Sequence, residues 1–242
     1  MKKEVVIEFS GVSKAFGKKQ VLRGINLKII EGEIFAILGR SGSGKSTLMN
    51  TLLGIYRPDK GKVFFEGKEI TQDSQILRKV VGLTTQENSF YDKLSVYENM
   101  RYYANLYEVK KRGRELREHI QGILKSVELD KSAGVLGGRL SGGMKRRLDF
   151  AISMIHEPKI LILDEPTTGL DPLLVGQFWD IIRKTAKSGK TIIVISHIFR
   201  EIEQNCDRAC ILDKGIIKKV IEIGPKTDLL RDFREAVRDA AD

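Results

Sequence analysis

The stretch GRSGSGKST at 39–47 follows the apolar run IFAIL (34–38) and leads into LMNTLLG, which reads as a helix. Glycines let backbone N–H groups turn inward around an anion, and a helix start adds positive potential there. Gly39-x4-Gly44-Lys45-Ser46 is the spacing of a P-loop in its strand-to-helix context. The chemistry is phosphate binding. Gly39, Arg40, Ser41, Gly42, Ser43, Gly44 and Thr47 form the cradle. Lys45 reaches the β- and γ-phosphates of a nucleotide, and Ser46 offers a hydroxyl to Mg2+.

A P-loop needs a carboxylate elsewhere to complete the metal's surroundings. LILDEP at 161–166 supplies one: an apolar strand ending in Asp164, followed by Glu165. Asp164 stands where a Walker-B aspartate stands. A second acid is unnecessary for binding, and Glu165 can polarise a water against the γ-phosphate. A hundred residues after the P-loop, LSGGM at 140–144 opens another helix. Ser141, Gly142 and Gly143 have the make-up of a second anion-binding turn. Taken alone, the same residues also suit a tight turn with an N-cap.

These groups must be held by a scaffold, and the patterning describes an α/β chain. VVIEF (5–9), INLKI (25–29), KVFFEG (62–67) and VVGLTT (80–85) read as strands, with alternation in INLKI marking a half-buried one. IFAIL, KILILD (159–164) and TIIVIS (191–196) are apolar throughout, as strands covered on both faces are. PLLVGQFWDIIRKTAKSG (172–189) reads as a helix with proline at its start and glycine past its end. Apolar strands alternating with helices predict a mostly parallel sheet with ligands at the strands' carboxyl ends. Between about 88 and 158 no strand is expected. Ser95 and Glu98 have capping-box spacing ahead of a helical run, so this segment reads as a helical insertion.

Composition sets the limits. The 242 residues are 41% hydrophobic and 31% charged, which suits a large globular α/β domain. No apolar run approaches the roughly 18 residues a bilayer span needs. The start MKKEVVIEFS lacks a signal-peptide core, so a cytosolic protein is expected. Cys206 and Cys210 read as buried small side chains. The net charge of +10 admits nucleic acid, an anionic membrane or anionic ligands. The densest basic run, VKKRGRELRE (109–118), is interrupted by Glu115 and Glu118 and reads as a solvated helix face. No nucleic-acid-binding motif accompanies it, so no nucleic-acid partner is expected. The end of the chain, GPKTDLLRDFREAVRDAAD, reads as a charged amphipathic helix.

Five motifs in order, the P-loop at 39–47, Gln86 after VGLTT, LSGGM at 140–144, ILILDEPTTGLDP at 160–172 and His197 after VIS, resemble the nucleotide-binding subunit of an ABC transporter. The resemblance runs from about residue 4 to 225. It implies one ABC-type domain over 1–242. A RecA-like core with an N-terminal antiparallel β subdomain takes about 1–87 and 146–242, and an α-helical subdomain takes about 88–145. It implies ATP and Mg2+ as ligands and ATP hydrolysis as the activity. Two cassettes pack head to tail, as a homodimer or heterodimer, so that Ser141, Gly142, Gly143 and Met144 cover the ATP held by the other's P-loop. Met144 stands where glutamine is usual.

Further roles carry over by position. Phe16 matches the aromatic that stacks on adenine; an ordinary core phenylalanine is the alternative. Gln86 matches the glutamine that touches Mg2+ and the attacking water. Glu165 orients that water, His197 contacts the γ-phosphate, Lys45 offsets charge, and Asp171 crosses the dimer interface. The resemblance implies a separate multi-span membrane permease, a peripheral place on the cytoplasmic side of the membrane, and export. Phe90 and Tyr91 are the candidate permease contacts, with packing inside the insertion as the alternative. The other readings are a non-transport ABC ATPase acting on ribosomes or DNA, and a small-molecule P-loop kinase.

Overall fold

The computed structural model describes residues 4–71 and 76–238. The chain divides into two compact units, Met1–Arg78 with Gly189–Asp242, and Lys79–Ser188. The first unit opens with β1 (Val5–Phe16) and β2 (Lys19–Ile30), then β3 (Ile34–Leu38), α1 (Lys45–Leu52), β4 (Lys60–Phe65) and β5 (Lys68–Glu69). Strands β2-β1-β4-β5 form an antiparallel sheet in that order. The runs expected at 5–9 and 25–29 are the apolar parts of longer strands. Beyond them β1 and β2 pass Gly11 and Gly24, both at φ +62, and the register shifts between Phe9 and Val12. A short helix, α2 (Ile76–Val80), follows.

The second unit comprises β6 (Val81–Thr84), α3 (Val96–Leu106), α4 (Gly113–Ser126), α5 (Gly142–Ser153), β7 (Ile160–Asp164) and α6 (Pro172–Lys187). Among the described residues no strand lies between β6 and β7, only an isolated bridge from Ser95 to Leu136. β6 and β7 pair in parallel. A Cβ on Gly82 would lie 2.1 Å from the Ser153 carbonyl oxygen, so only glycine lets β6 pass so close to the end of α5. The expected capping box opens α3: the Ser95 hydroxyl accepts from Glu98 N–H at 3.2 Å, and Glu98 Oε2 accepts from Ser95 N–H at 2.8 Å. The basic run continues into α4, which buries Leu116, Ile120 and Leu124 on one stripe and exposes an Arg114–Glu118 pair. α6 starts on Pro172 and stops before Gly189 at φ +95.

The first unit resumes with β8 (Thr191–Ser196), α7 (Phe199–Asn205), β9 (Arg208–Asp213), β10 (Ile216–Glu222) and α8 (Leu229–Arg238). Within it β10-β9-β3-β8 lie side by side, with β3 parallel to both β8 and β9. Every residue of β3 and β8 is buried, as the unbroken apolar runs require. Lys214 and Gly215, at φ +48 and +77, make the two-residue turn from β9 to β10. Cys206 and Cys210 are buried and unpaired. Burial pushes the Cys210 thiol up to about 12 and raises Cys206 as well, so both are chemically quiet. α8 is the described part of the expected terminal helix; residues 239–242 lie outside the described residues. It rests on α7 through Phe199 and Phe233, whose rings lie 5.1 Å apart.

Candidate functional site

The first unit holds the P-loop between β3 and α1. A Cβ at Gly39 would sit 2.4 Å from the Leu212 carbonyl oxygen and 2.5 Å from Ser43 Oγ. Gly42 and Gly44 take φ +76 and +111, which L side chains resist. α1 begins at Gly44 with no side-chain cap. Lys45 Nζ donates to the carbonyls of Gly39 (2.8 Å) and Arg40 (3.1 Å), folding its ammonium back over the loop. Ser43 Oγ is buried without a hydrogen-bond partner among the described atoms. The loop is fixed from behind: Gly215 N–H donates to the Ser43 carbonyl at 3.0 Å, and Arg23 N–H donates to the Gly215 carbonyl at 2.8 Å. A glycine-built cradle with an ammonium over it and a helix start behind it fits a nucleotide's phosphates.

Phe16 ends β1 and is 45% exposed, so it is not a core phenylalanine. Its ring meets Tyr56 edge-on at 5.2 Å, with Lys14 Nζ 5.6 Å from its centroid. Asp59 accepts from Ala15 N–H (2.6 Å) and from the Lys14 ammonium (3.0 Å). Those two bonds, the backbone one first, hold its carboxyl below the usual range. Nothing in the pattern of the sequence marks Asp59, which lies 44 residues from Ala15 and meets it only through the fold. His197 follows β8 in an exposed loop whose next residue, Ile198, donates its N–H to Ser196 Oγ at 3.1 Å.

The second unit carries the remaining residues. Gln86 is exposed just beyond β6. Asp164 closes β7, and Glu165 follows at φ +49, a left-handed conformation rare outside glycine and common where a site stores strain. Thr168 N–H donates to the Glu165 carbonyl at 3.3 Å, and the Thr168 hydroxyl lies 3.4 Å from Glu165 Oε2. Asp171 caps α6, its Oδ1 accepting from the N–H groups of Leu173 and Leu174, both at 3.1 Å. Ser141 caps α5 and accepts from Met144 N–H at 3.4 Å. A Cβ on Gly142 would meet nothing within 4 Å, whereas one on Gly143 would lie 3.0 Å from Leu174. The signature turn thus packs against the start of the helix that Asp171 caps. Leu173, beside it, is 72% exposed.

The two aromatic candidates for a partner contact separate. Phe90 is buried, with its ring where a Cβ on Gly137 would fall, so it packs inside the helical segment. Tyr91 is 49% exposed and meets Tyr102 edge-on at 4.9 Å.

Comparison with known proteins bears on this geometry. The family described as "ABC transporter" matches residues 22–168. The Nod factor export ATP-binding protein I of Rhizobium sp. (strain N33) is 38% identical over 92% of this chain and 72% of its own length. That of Sinorhizobium fredii is 36% identical over 93% of this chain and 64% of its own. Among solved structures, cbiO1 from Clostridium perfringens, part of the ABC transporter complex cbiONQ, superposes with a TM-score of 0.86 at 28% identity, covering 98% of this chain and 95% of that one. A dimeric ATP-binding cassette in a post-hydrolysis state, bound to ADP and Pi, gives 0.78 at 27% identity over 90% of this chain and 99% of that one. The chain belongs to the ABC transporter family. It is an ATP-binding subunit of that family, and its activity is ATP hydrolysis.

Proposed function

We propose that two copies of this cassette, or one copy and a related cassette, close head to tail around ATP and drive export through a separate membrane permease. The observation that carries this reading is the signature turn itself: Ser141 caps α5, and a Cβ on Gly142 would meet nothing within 4 Å, so the turn's outer edge is free to meet another molecule. Such a turn suits a phosphate presented by a second molecule. The names of the Rhizobium and Sinorhizobium relatives support export. Among the described residues no helix is long and apolar enough to cross a membrane. A peripheral place on the cytoplasmic face, against a multi-span partner, accords with that.

Within the closed dimer, Phe16 offers a π-face to adenine, with Tyr56 and Asp59 holding its strand end. Stacking needs only a ring, so phenylalanine serves. Gly39–Thr47 binds the phosphates through backbone N–H groups, and Lys45 exchanges loop carbonyls for phosphate oxygens. Among the described residues no group of three or more His, Cys, Asp or Glu could cage a metal. One hydroxyl, Ser46, and one carboxylate, Asp164, with Gln86 nearby in role, suit Mg2+ held chiefly by phosphate and water. An Mg2+ held by these residues would supply charge neutralisation to the phosphate oxygens. Glu165 orients the attacking water, His197 donates to the γ-phosphate, and Ser141, Gly142 and Gly143 present donors from the partner copy. Met144 replaces a side chain that lies past those donors. Asp171 fixes the start of α6 at the interface. Loss of the γ-phosphate removes what joins the two halves, and the dimer opens.

Glu165→Gln tests this. Hydrolysis should fall at least about 100-fold, the lower range for a missing general base. Gel filtration with Mg·ATP should then show a doubled mass. A variant that still turns over ATP and stays monomeric would overturn both the role and the dimer.

A further inference from the structure

The segment that carries Gln86 is tied to the signature helix by contacts that the motifs do not include. Asp149 lies on α5 two turns after Ser141 and is only 2% exposed. Its Oδ1 accepts twice from one residue, from Ser89 N–H at 2.8 Å and from the Ser89 hydroxyl at 2.7 Å. Ser89 lies three residues after Gln86. On the other side of Gln86, the Thr85 carbonyl accepts from Arg146 Nη1 at 3.2 Å. Residues 146 and 149 share a face of α5, so one helix grips the Gln86 segment at both ends. The Ser89 carbonyl also accepts from the Tyr103 hydroxyl of α3, which fixes the segment against the insertion.

Packing alone does not account for an acid here. Asp149 is flanked by buried Leu148, Phe150, Ala151 and Ile152. Its Oδ2 is buried with no hydrogen bond among the described atoms, and burial raises the carboxyl despite the Ser89 donors. An apolar residue would fill the position at less desolvation cost. The acid gives instead a short two-bond connection between α5 and a loop. Two donors from one residue converging on a single oxygen fix the orientation of Ser89 as well as its distance.

We propose that Ser89 and Asp149 are a latch that makes the Gln86 segment and the signature helix one moving part. This rests on the head-to-tail reading above. There, Gln86 serves the nucleotide of its own copy while Ser141–Gly143 cover the nucleotide of the partner. A latch between them links the two nucleotide sites of the dimer: a shift of Gln86 on γ-phosphate binding or loss is carried to the turn that closes the other site. Ser89 and Asp149 are positioning residues and touch no nucleotide themselves.

The test uses the whole chain and three readouts. These are affinity for a fluorescent ATP analogue in the monomer, Mg·ATP-driven dimerisation in the Glu165→Gln background, and the ATP dependence of hydrolysis. Ser89→Ala removes one donor without adding volume. Monomer affinity should stay within about two-fold while turnover falls about tenfold, the size of one hydrogen bond to a charged group. The Hill coefficient should drop toward 1. Asp149→Leu should lower turnover further, and Asp149→Asn, which keeps the Oδ1 acceptor, should restore part of it. Turnover and ATP dependence unchanged in Ser89→Ala would remove the latch. Monomer affinity falling in step with turnover would also remove it, because the effect would then lie in binding. If the Glu165→Gln chain stays monomeric with ATP, the dimer reading falls and the latch with it. If that chain dimerises and Ser89→Ala changes nothing, the latch alone falls.

Discussion

Two glycine-containing turns open two helices in this protein, and they are built in opposite ways. The turn before α1 is locked from behind. Gly39 is pressed against the Leu212 carbonyl, and Ser43 is held by Gly215, where a Cβ would lie 2.0 Å from the Val21 carbonyl oxygen. The turn before α5 has its serine capping its own helix and, at Gly142, open space. Both present backbone donors at the positive end of a helix, so their anion chemistry is alike. What differs is the packing around them. The first is braced from behind at Gly39 and Ser43, and the second is packed at Gly143 against Leu174 but open at Gly142. On the head-to-tail reading proposed above, the first turn would bind nucleotide in its own chain and the second would act across an interface.

The largest effects should separate the two turns most sharply. Lys45→Ala removes the ammonium held over the P-loop. Affinity for Mg·ATP in the isolated chain should fall about 10- to 100-fold, the range for charge-assisted bonds to phosphate. Ser141→Arg should leave that affinity within about two-fold while dimer closure and hydrolysis are lost, because arginine fills the space the partner must enter. Equilibrium binding and gel filtration read both. A collapse of monomer affinity in Ser141→Arg would mean the signature acts on its own chain's nucleotide, and the comparison would fail.

A second, smaller contrast concerns stability. Gly215→Ala forces a Cβ into the Val21 carbonyl at a position with φ +77. Left-handed strain and the clash together should cost roughly 3 kcal/mol, lowering Tm by about 10 °C. Gly142→Ala meets nothing and should shift Tm by about 1 °C or less. Thermal unfolding in the absence of nucleotide decides it: equal shifts in the two variants would show that the signature turn is as tightly packed as the P-loop.

The P-loop, the acids at the end of β7, the signature turn and the helical segment were legible because each is local. Glycine spacing, an apolar run with a terminal acid and a Ser95–Glu98 pair are signals within a few residues. The full lengths of β1 and β2 were not legible, since Gly11 and Gly24 interrupt the alternation where the register shifts. Nor were the supports. Asp59 reaches Ala15 across 44 residues, Gly215 reaches Ser43 across 172, and Asp149 reaches Ser89 across 60. Nothing in local periodicity marks a residue whose partner is brought to it by tertiary packing. Phe90 and Tyr91, neighbours in sequence with similar rings, went to opposite environments for the same reason.

The smallest effect distinguishes how the helices start. α3 begins with a reciprocal capping box, whereas α1 begins at a left-handed glycine with no side-chain cap. Ser95→Ala should therefore cost about 1 kcal/mol in the helical segment, and α1 has no equivalent contact to lose. The cap also carries a pH signature. Ser95 N–H, and after it the Ser95 hydroxyl, hold the Glu98 carboxyl below its ordinary 4.5. A depressed folded value means the stabilisation is fully present above about pH 4.5 and is lost as pH falls through the folded value. Amide exchange in the first turn of α3 should accelerate below that point in the unmodified chain, and Glu98→Gln should flatten the response. The first turn of α1 should show no matching step. A step of the same size in both helices would mean the acid response is global unfolding rather than release of this cap.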